Sequence, residues 1–284
     1  MPKSVLITGA STGIGEAIAL RMDRLGWRVL AGVRQAPDGA RLRAAASDRL
    51  QWVHLDVTDA AGIAAAMDQA TAWLDGAPLD GLVNNAGIVV GGPLEYLPLD
   101  DFRRQFEVNV VGLLAVTQAA LPLLRRGRGR IVNIGSIGGR VTSPMVGPYC
   151  ASKFAVEAIS DALRLELAEW GIYTSVIEPG VVVTPIWDKG VRDLESAAAR
   201  LPAEALARYG GFLRAMGRII AGAPRRGVTV DKVADATEHA LTSGRPRHRY
   251  VIGVDARVRL AAQAILPRRW MDAIVLAVLR KAAG

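Results

Sequence analysis

Near its N-terminus the chain passes from a short apolar run into a helix through a glycine-rich turn, and few folds accommodate that join. Val5-Leu6-Ile7 leads into Thr8-Gly9-Ala10-Ser11-Thr12-Gly13-Ile14-Gly15, and Ile14 to Leu25 reads as a helix that stops at Gly26. Glycines in such a turn allow a tight reversal and a close approach of backbone to a phosphate. The helix that follows presents free N–H groups to the same anion. A glycine-rich pattern alone is weak, but here both the strand before it and the helix after it are present.

The alternation continues along the chain. Further strands are expected at Arg28 to Val33, Leu50 to Leu55, Asp80 to Val83, Gly129 to Ile134, Ile172 to Ile177 and Arg249 to Ile252. Helices are expected at Asp59 to Leu74, about Leu99 to Leu124, Ser152 to Glu169, and Thr229 to Ser243 with Thr229 as N-cap. Strands alternating with helices predict an α/β fold, a doubly wound Rossmann-type parallel sheet with helices on both faces. Ligands of such sheets bind at the carboxyl ends of the strands, where the glycine-rich and polar motifs of this chain fall. One domain is expected over 1–256, followed by an amphipathic helical extension over 257–284. The stretch 185–229 contains no strand signal and is expected to be a lid over the site.

Composition narrows the function. With 284 residues, 51% of them hydrophobic, the chain can bury a large core. Its net charge of +8 comes from scattered cations, with only short arginine doublets at 125–126, 225–226 and 268–269, so no nucleic-acid stripe is expected. The single cysteine, Cys150, excludes an internal disulfide, and His54, His239 and His248 lack metal-ligand spacing, so no metal is expected. No secretion leader and no bilayer-spanning apolar run are read from the sequence, and a cytoplasmic location is expected.

The end of the second strand bears on the nucleotide. A fold of this kind that prefers NAD places an acid there, whereas an arginine accommodates a 2′-phosphate. The strand ends Ala31-Gly32-Val33-Arg34, which points to NADP(H) as cofactor.

The spacing of Gly9, Gly13 and Gly15 resembles the short-chain dehydrogenase/reductase family in its compact single-domain branch. The resemblance is carried further by Asp56-Val57, by Asn84-Asn85-Ala86-Gly87, by Asn109, Ser136, Tyr149 and Lys153, and by Pro179, Gly180, Val182 and Thr184. It runs continuously over about residues 4 to 185. It implies catalysis by Asn109, Ser136, Tyr149 and Lys153. It implies cofactor contacts from Gly9, Ser11, Thr12, Gly13, Ile14, Gly15, Arg34, Asp56, Val57, Asn85, Ala86, Gly87, Tyr149, Lys153, Pro179, Gly180, Val182 and Thr184.

The chemistry of these side chains agrees. Tyr149 and Lys153 are four residues apart, on one face of a helix. The phenol would pass a proton to or from the substrate oxygen, with the Lys153 ammonium favouring the phenolate. Ser136 would hold the substrate oxygen. The resemblance implies that Asn109 anchors a water leading from Lys153 to solvent, and that Lys153 also holds ribose hydroxyls.

Similarity to the 17β-hydroxysteroid and retinol dehydrogenase branch, in residues 135–139, 149–155, 29–34 and 92–95, implies a hydrophobic secondary alcohol or ketone as substrate. Candidate pocket residues are Ile137, Val141, Met145, Val146, Val181, Ile186, Trp187, Phe212 and Met216. Two other readings stand beside this one. A sugar-nucleotide epimerase shares the Tyr149/Lys153 pair but differs in glycine spacing and length. A non-catalytic NADP(H)-binding regulator has no use for Ser136, Tyr149 and Lys153. A homo-oligomer, dimer or tetramer, is expected. Pro267 divides the C-terminal segment into two helices, of which the second has an apolar face built from Trp270, Met271, Ile274, Val275 and Val278. Docking of that face on protein and peripheral membrane contact are both open.

Overall fold

In a computed structural model, which describes residues 2–184, 196, 198–222 and 227–283, the chain forms one seven-stranded, fully parallel sheet. The strands are β1 (Ser4–Ile7), β2 (Arg28–Val33), β3 (Leu50–His54), β4 (Gly81–Asn84), β5 (Arg130–Ile134), β6 (Tyr173–Pro179) and β7 (Arg249–Ile252), in the order β3-β2-β1-β4-β5-β6-β7. The chain steps outward from β1 to β3, then returns to the other side of β1 with β4. The resulting crevice between β1 and β4 is where the ligands of doubly wound sheets bind.

Strand alternation divides the core in two. Val5 and Ile7, Val29 and Ala31, Val83, and Val132 and Ile134 point to one face. Leu6, Leu30, Leu82 and Ile131 point to the other. Helices α1 (Gly13–Arg24), α2 (Ala36–Ala44) and α8 (Val230–Thr242) cover the first face through Ile18, Met22, Leu42, Val233 and Leu241. Helices α3 (Ala60–Leu74), α5 (Gly112–Arg125) and α6 (Gly147–Glu166) cover the second through Ile63, Met67, Val116, Leu124 and Leu163. Each large aliphatic side chain removed from water in these layers contributes about 1.5–3 kcal/mol before chain entropy is counted.

Four elements depart from the sequence reading. The helix α2 was not expected, because its apolar content is low. It is fixed by Gly39, whose missing Cβ lets the Trp52 ring of β3 lie against the backbone. The helix α6 begins at Gly147, earlier than Ser152, because Pro148 occupies the first turn, where its missing N–H costs nothing. The stretch Leu99–Arg125 is not one regular helix. It consists of α4 (Leu99–Phe106), a π-helical turn at Glu107–Val111 and α5. It is also, by length and composition, apolar enough to cross a membrane, contrary to the reading that no such run exists. Here its apolar side serves the sheet and α3, with Val116, Ala120, Leu123 and Leu124 buried. Finally, Thr229 precedes α8 in extended backbone, but its hydroxyl makes no capping bond.

The C-terminal third closes over one end of the sheet. Helix α7 (Ala203–Gly222) packs Leu213 and Met216 on Met145, in the loop after β5. Glu95 latches it from the other side, accepting from the Tyr209 hydroxyl at 2.6 Å and from Arg208 at 3.1 Å. Beyond β7, α9 (Val254–Ile265) and α10 (Arg268–Ala283) are separated at Pro267. Helix α10 packs along α7, burying Leu279, and Arg218 donates to the Ala282 carbonyl at 3.0 Å. Trp270, Ile274 and Val278 stay on its exposed side.

Beneath the site a polar ladder crosses the sheet. The Asn84 amide donates to Thr117 and to Asn133, both at 2.9 Å, and the Asn133 amide donates to Ser160 at 2.8 Å. All four are buried, so each group depends on its neighbour. Asn133→Ala leaves Asn84 and Ser160 short of a partner, and is expected to destabilise the fold by about 1–3 kcal/mol. Urea unfolding followed by circular dichroism measures this; an unchanged midpoint contradicts it.

Candidate active site

The crevice is built by β1 and β4 gripping each other. The Thr8 hydroxyl accepts from the Asn85 and Ala86 N–H groups, each at 3.0 Å. The Asn85 amide returns two bonds, to Thr8 O at 3.0 Å and Gly9 O at 2.8 Å. This lock holds the glycine-rich turn in place. Gly9 and Gly13 have φ of 63° and 61°, a conformation that favours glycine. A Cβ on Gly15 would lie 2.3 Å from Gly9 O, so the helix start must be bare here. Thr12 sits at the N-cap of α1 without a side-chain capping bond, which leaves the first-turn N–H groups before Ile14 to an incoming anion. Gly87 lies against Asn109, its Cβ position 3.3 Å from Oδ1.

At the outer end of the same edge, a cleft of about 360 Å³ is lined by Ser11, Arg34, Gln35, Asp38, His54 and Asp56. Asp56 accepts from the Thr58 N–H at 3.0 Å and from its hydroxyl at 2.8 Å. The Thr58 backbone bond holds its carboxyl below the usual carboxylate range, with smaller pulls from the Thr58 hydroxyl, Arg34 and His54 overcoming its burial. Val57 turns inward instead, buried against Gly112, where a Cβ would meet its carbonyl at 2.6 Å.

On the far side of the crevice, α6 carries the chemistry. Ser136 follows β5 and takes the Gly138 N–H at 3.0 Å. The Tyr149 phenol, in the first turn of α6, lies close enough for the Ser136 hydroxyl to lower its pKa. One turn later Lys153 is buried, its Nζ donating to the Ile134 carbonyl at 2.7 Å and sitting 5.8 Å from the centre of the Tyr149 ring. Burial pushes the phenol up to about 12, against a smaller downward pull from Ser136. Burial pushes Lys153 down to about 8, partly offset by the Glu157 charge. In the free chain burial keeps Tyr149 a protonated phenol at neutral pH.

Asn109 lies buried in the π-helical turn, a distortion often found at functional sites. Its Oδ1 accepts from Ile88 N at 2.8 Å, and its amide donates to Ile88 O and to Ser152 Oγ, both at 3.1 Å. Ser152 in turn donates to Tyr149 O at 2.7 Å. Asn109 thus ties the irregular segment that leaves β4 to the turn bearing Tyr149. Gln105 clamps the same segment, accepting from Val90 N at 2.6 Å.

The segment after β6 closes this side. Gly180 N donates to Ile252 O at 2.8 Å, and Val181 N donates to Asp255 at 3.1 Å. Val182 bridges to Val228, and the hydroxyl of Thr184 lies 3.5 Å from Val182 O. Pro179 ends β6. Of the apolar pocket candidates, Met145, Phe212 and Met216 meet under α7. Ile137 and Val141 pack with Ala256 in a small core instead. Ile186 and Trp187 lie outside the described residues. Cys150 is buried and its thiol is raised, burial being the main cause, so it offers no nucleophile.

Four side chains that matter here were not singled out from the sequence. Gln105 and Asp255 carry no motif. Glu157 lies one turn beyond Lys153, a spacing that could have flagged it. It shares Arg249 with the buried Glu178, at 2.9 and 3.2 Å, and burial followed by Glu178 raises its carboxyl. His54 was set aside as a strand residue, yet it faces the cleft beside Arg34.

A glycine-lined helix N-terminus beside a buried Tyr/Lys/Ser set defines a dinucleotide-dependent oxidoreductase site. Comparison with known proteins gives the family: the chain belongs to the short-chain dehydrogenases, whose family pattern matches residues 3–195. It is thus an oxidoreductase that binds a nicotinamide dinucleotide. It is 41% identical over 292 residues to human (Homo sapiens) retinol dehydrogenase 5, covering 98% of this chain and 89% of that protein. It is 39% identical over 278 residues to human 17-beta-hydroxysteroid dehydrogenase type 6, covering 96% and 87%. Among solved structures, a short-chain dehydrogenase from Streptomyces avermitilis superposes with a TM-score of 0.77 at 28% identity, covering 93% of this chain and 92% of that one.

Tyr149→Phe keeps the ring and removes the hydroxyl. It is expected to lower kcat by at least about 10²-fold, with dinucleotide affinity nearly unchanged. Steady-state kinetics with fluorescence titration of the cofactor decide this; retained turnover contradicts it.

Proposed function

We propose that the chain is an NADP(H)-dependent oxidoreductase that interconverts a hydrophobic secondary alcohol and its ketone, with Tyr149 as the acid/base. The observation that carries this reading is the Ser136–Tyr149 pair beside a Lys153 fixed on the Ile134 carbonyl. The dinucleotide, when bound, supplies or accepts the hydride. The protein's part is to hold the substrate oxygen at Ser136 and Tyr149 and to move one proton. A phenol held up to about 12 is protonated at neutral pH, the form that donates to a carbonyl oxygen as it gains negative charge. The Lys153 ammonium then stabilises the phenolate left behind. The site residues fit the dinucleotide along its length: the bare α1 terminus for the pyrophosphate, Asn85 and Ala86 beside it, and Arg34 for a 2′-phosphate.

The nature of the relatives supports a lipophilic substrate, since two of them are named for retinol and for a hydroxysteroid. The apolar cluster of Met145, Leu213 and Met216 supports it independently. Helix α7, latched through Glu95 to the turn before α4, is in position to act as the substrate lid. A variant of ElxO with NADPH bound, 25% identical with a TM-score of 0.71, supports the choice of cofactor. Exposed Val111 in the π-helical turn and Phe154 and Leu165 on α6 favour self-association.

A panel of steroid, retinoid and aliphatic ketones and alcohols, read by nicotinamide absorbance with each cofactor, tests the reading. Turnover with NADPH and a lipophilic ketone is expected, and no turnover with any of them contradicts it. Arg34→Ala is expected to weaken NADPH binding by about 1–3 kcal/mol and to leave NADH binding unchanged; equal loss for both sinks the assignment of Arg34. The pH dependence follows from Lys153. Its charge is present below about 8 and lost above it, so ketone reduction should be flat near neutrality and fall as pH rises beyond about 8. A rate still rising at higher pH contradicts this.

A further inference from the structure

We propose that His54 reads the 2′-phosphate of the cofactor together with Arg34, so that discrimination between phosphorylated and unphosphorylated dinucleotides depends on both side chains. The inference rests on the NADP(H) reading above and extends it to a second residue.

The backbone brings the two cations together. Val33 of β2 pairs in register with His54 of β3, and Arg34 is the next residue of β2's exit. Both side chains line the cleft of about 360 Å³ at the carboxyl ends of these strands. Among the described residues, neither makes a side-chain hydrogen bond or an ion pair, although two carboxylates, Asp38 and Asp56, line the same cleft. A guanidinium and an imidazole that line one cavity, both drawing on Asp56 but neither hydrogen-bonded to it, keep donors for an anionic group from outside. Arg41, which reaches the Ser11 carbonyl of the same edge, is already committed, pairing with Glu16 at 2.6 Å.

The lining explains why Arg34 alone is a poor reader. One arginine there faces two carboxylates, Asp38 and Asp56. The His54 imidazole adds a second N–H donor on the same cleft. Removing that donor weakens binding of the 2′-phosphorylated cofactor and leaves binding of the unphosphorylated one unchanged.

Calorimetric titration of the whole chain with 2′,5′-ADP, which carries the phosphate, and 5′-AMP, which lacks it, tests this. His54→Ala is expected to weaken 2′,5′-ADP binding about 5–10-fold, the scale of one charge-assisted contact, and to leave 5′-AMP binding intact, which also reports that the fold is preserved. His54→Arg should keep tight binding of 2′,5′-ADP. A His54→Ala protein with the wild-type affinity for 2′,5′-ADP overturns the role of His54, as does equal loss of both ligands. Preference lost in Arg34→Ala but kept in His54→Ala overturns His54 alone. No preference for 2′,5′-ADP over 5′-AMP in the wild type overturns the cofactor reading beneath it.

Discussion

The site depends on the clasp between β1 and β4. Asn85 and Ala86 donate four hydrogen bonds to Thr8 and Gly9 across the strand ends, and these bonds fix the glycine-rich turn at the edge of the crevice. Loosening that clasp would free the turn from the sheet and move the N–H groups of α1 away from where a pyrophosphate must sit. Gly9 and Gly15 are bare because the clasp brings backbone too close for a Cβ. The order of strands makes the crevice; these polar contacts make it a defined surface.

The opposite wall is set by buried charge. Lys153 keeps its ammonium out of water only because the Ile134 carbonyl accepts from it, and that bond anchors α6 to the end of β5. Tyr149 lies on that helix and Ser136 just past the end of that strand, so both reacting groups sit at the junction this bond holds. Asn109 then links Ile88, the π-helical turn and Ser152, so that both walls share one hydrogen-bonded frame. Asn109 is a positioning residue here: its contacts are with the backbone and with Ser152, and it acts on Tyr149 through them.

Much of this was legible in the sequence, for physical reasons. A short apolar run, a glycine-rich turn and a periodic helix determine a strand–turn–helix unit, and repetition of strand and helix determines a parallel sheet. Tyr149 and Lys153 were readable because a spacing of four on a helix is a statement about one face. What escaped has causes too. Helix α2 is polar and lies under Trp52 through the absence of a side chain at Gly39, which leaves no periodic signal. The π-helical turn is invisible to a pattern of apolar residues, since the residues on either side remain helical. The state of Tyr149 could not be read either, because the burial that raises its phenol is a property of the packed molecule. His54 looked like an ordinary strand residue until the register of β2 with β3 put it beside Arg34.

The central claim is that this site transfers a hydride to a carbonyl carbon while Tyr149 supplies the proton. The most direct measurement uses NADPH deuterated at the transferable position, with a lipophilic ketone and mass analysis of the alcohol formed. Deuterium bound to the carbinol carbon is the expected result, with the hydroxyl proton coming from solvent through Tyr149. An alcohol product carrying no deuterium from either face of the labelled nicotinamide would contradict it.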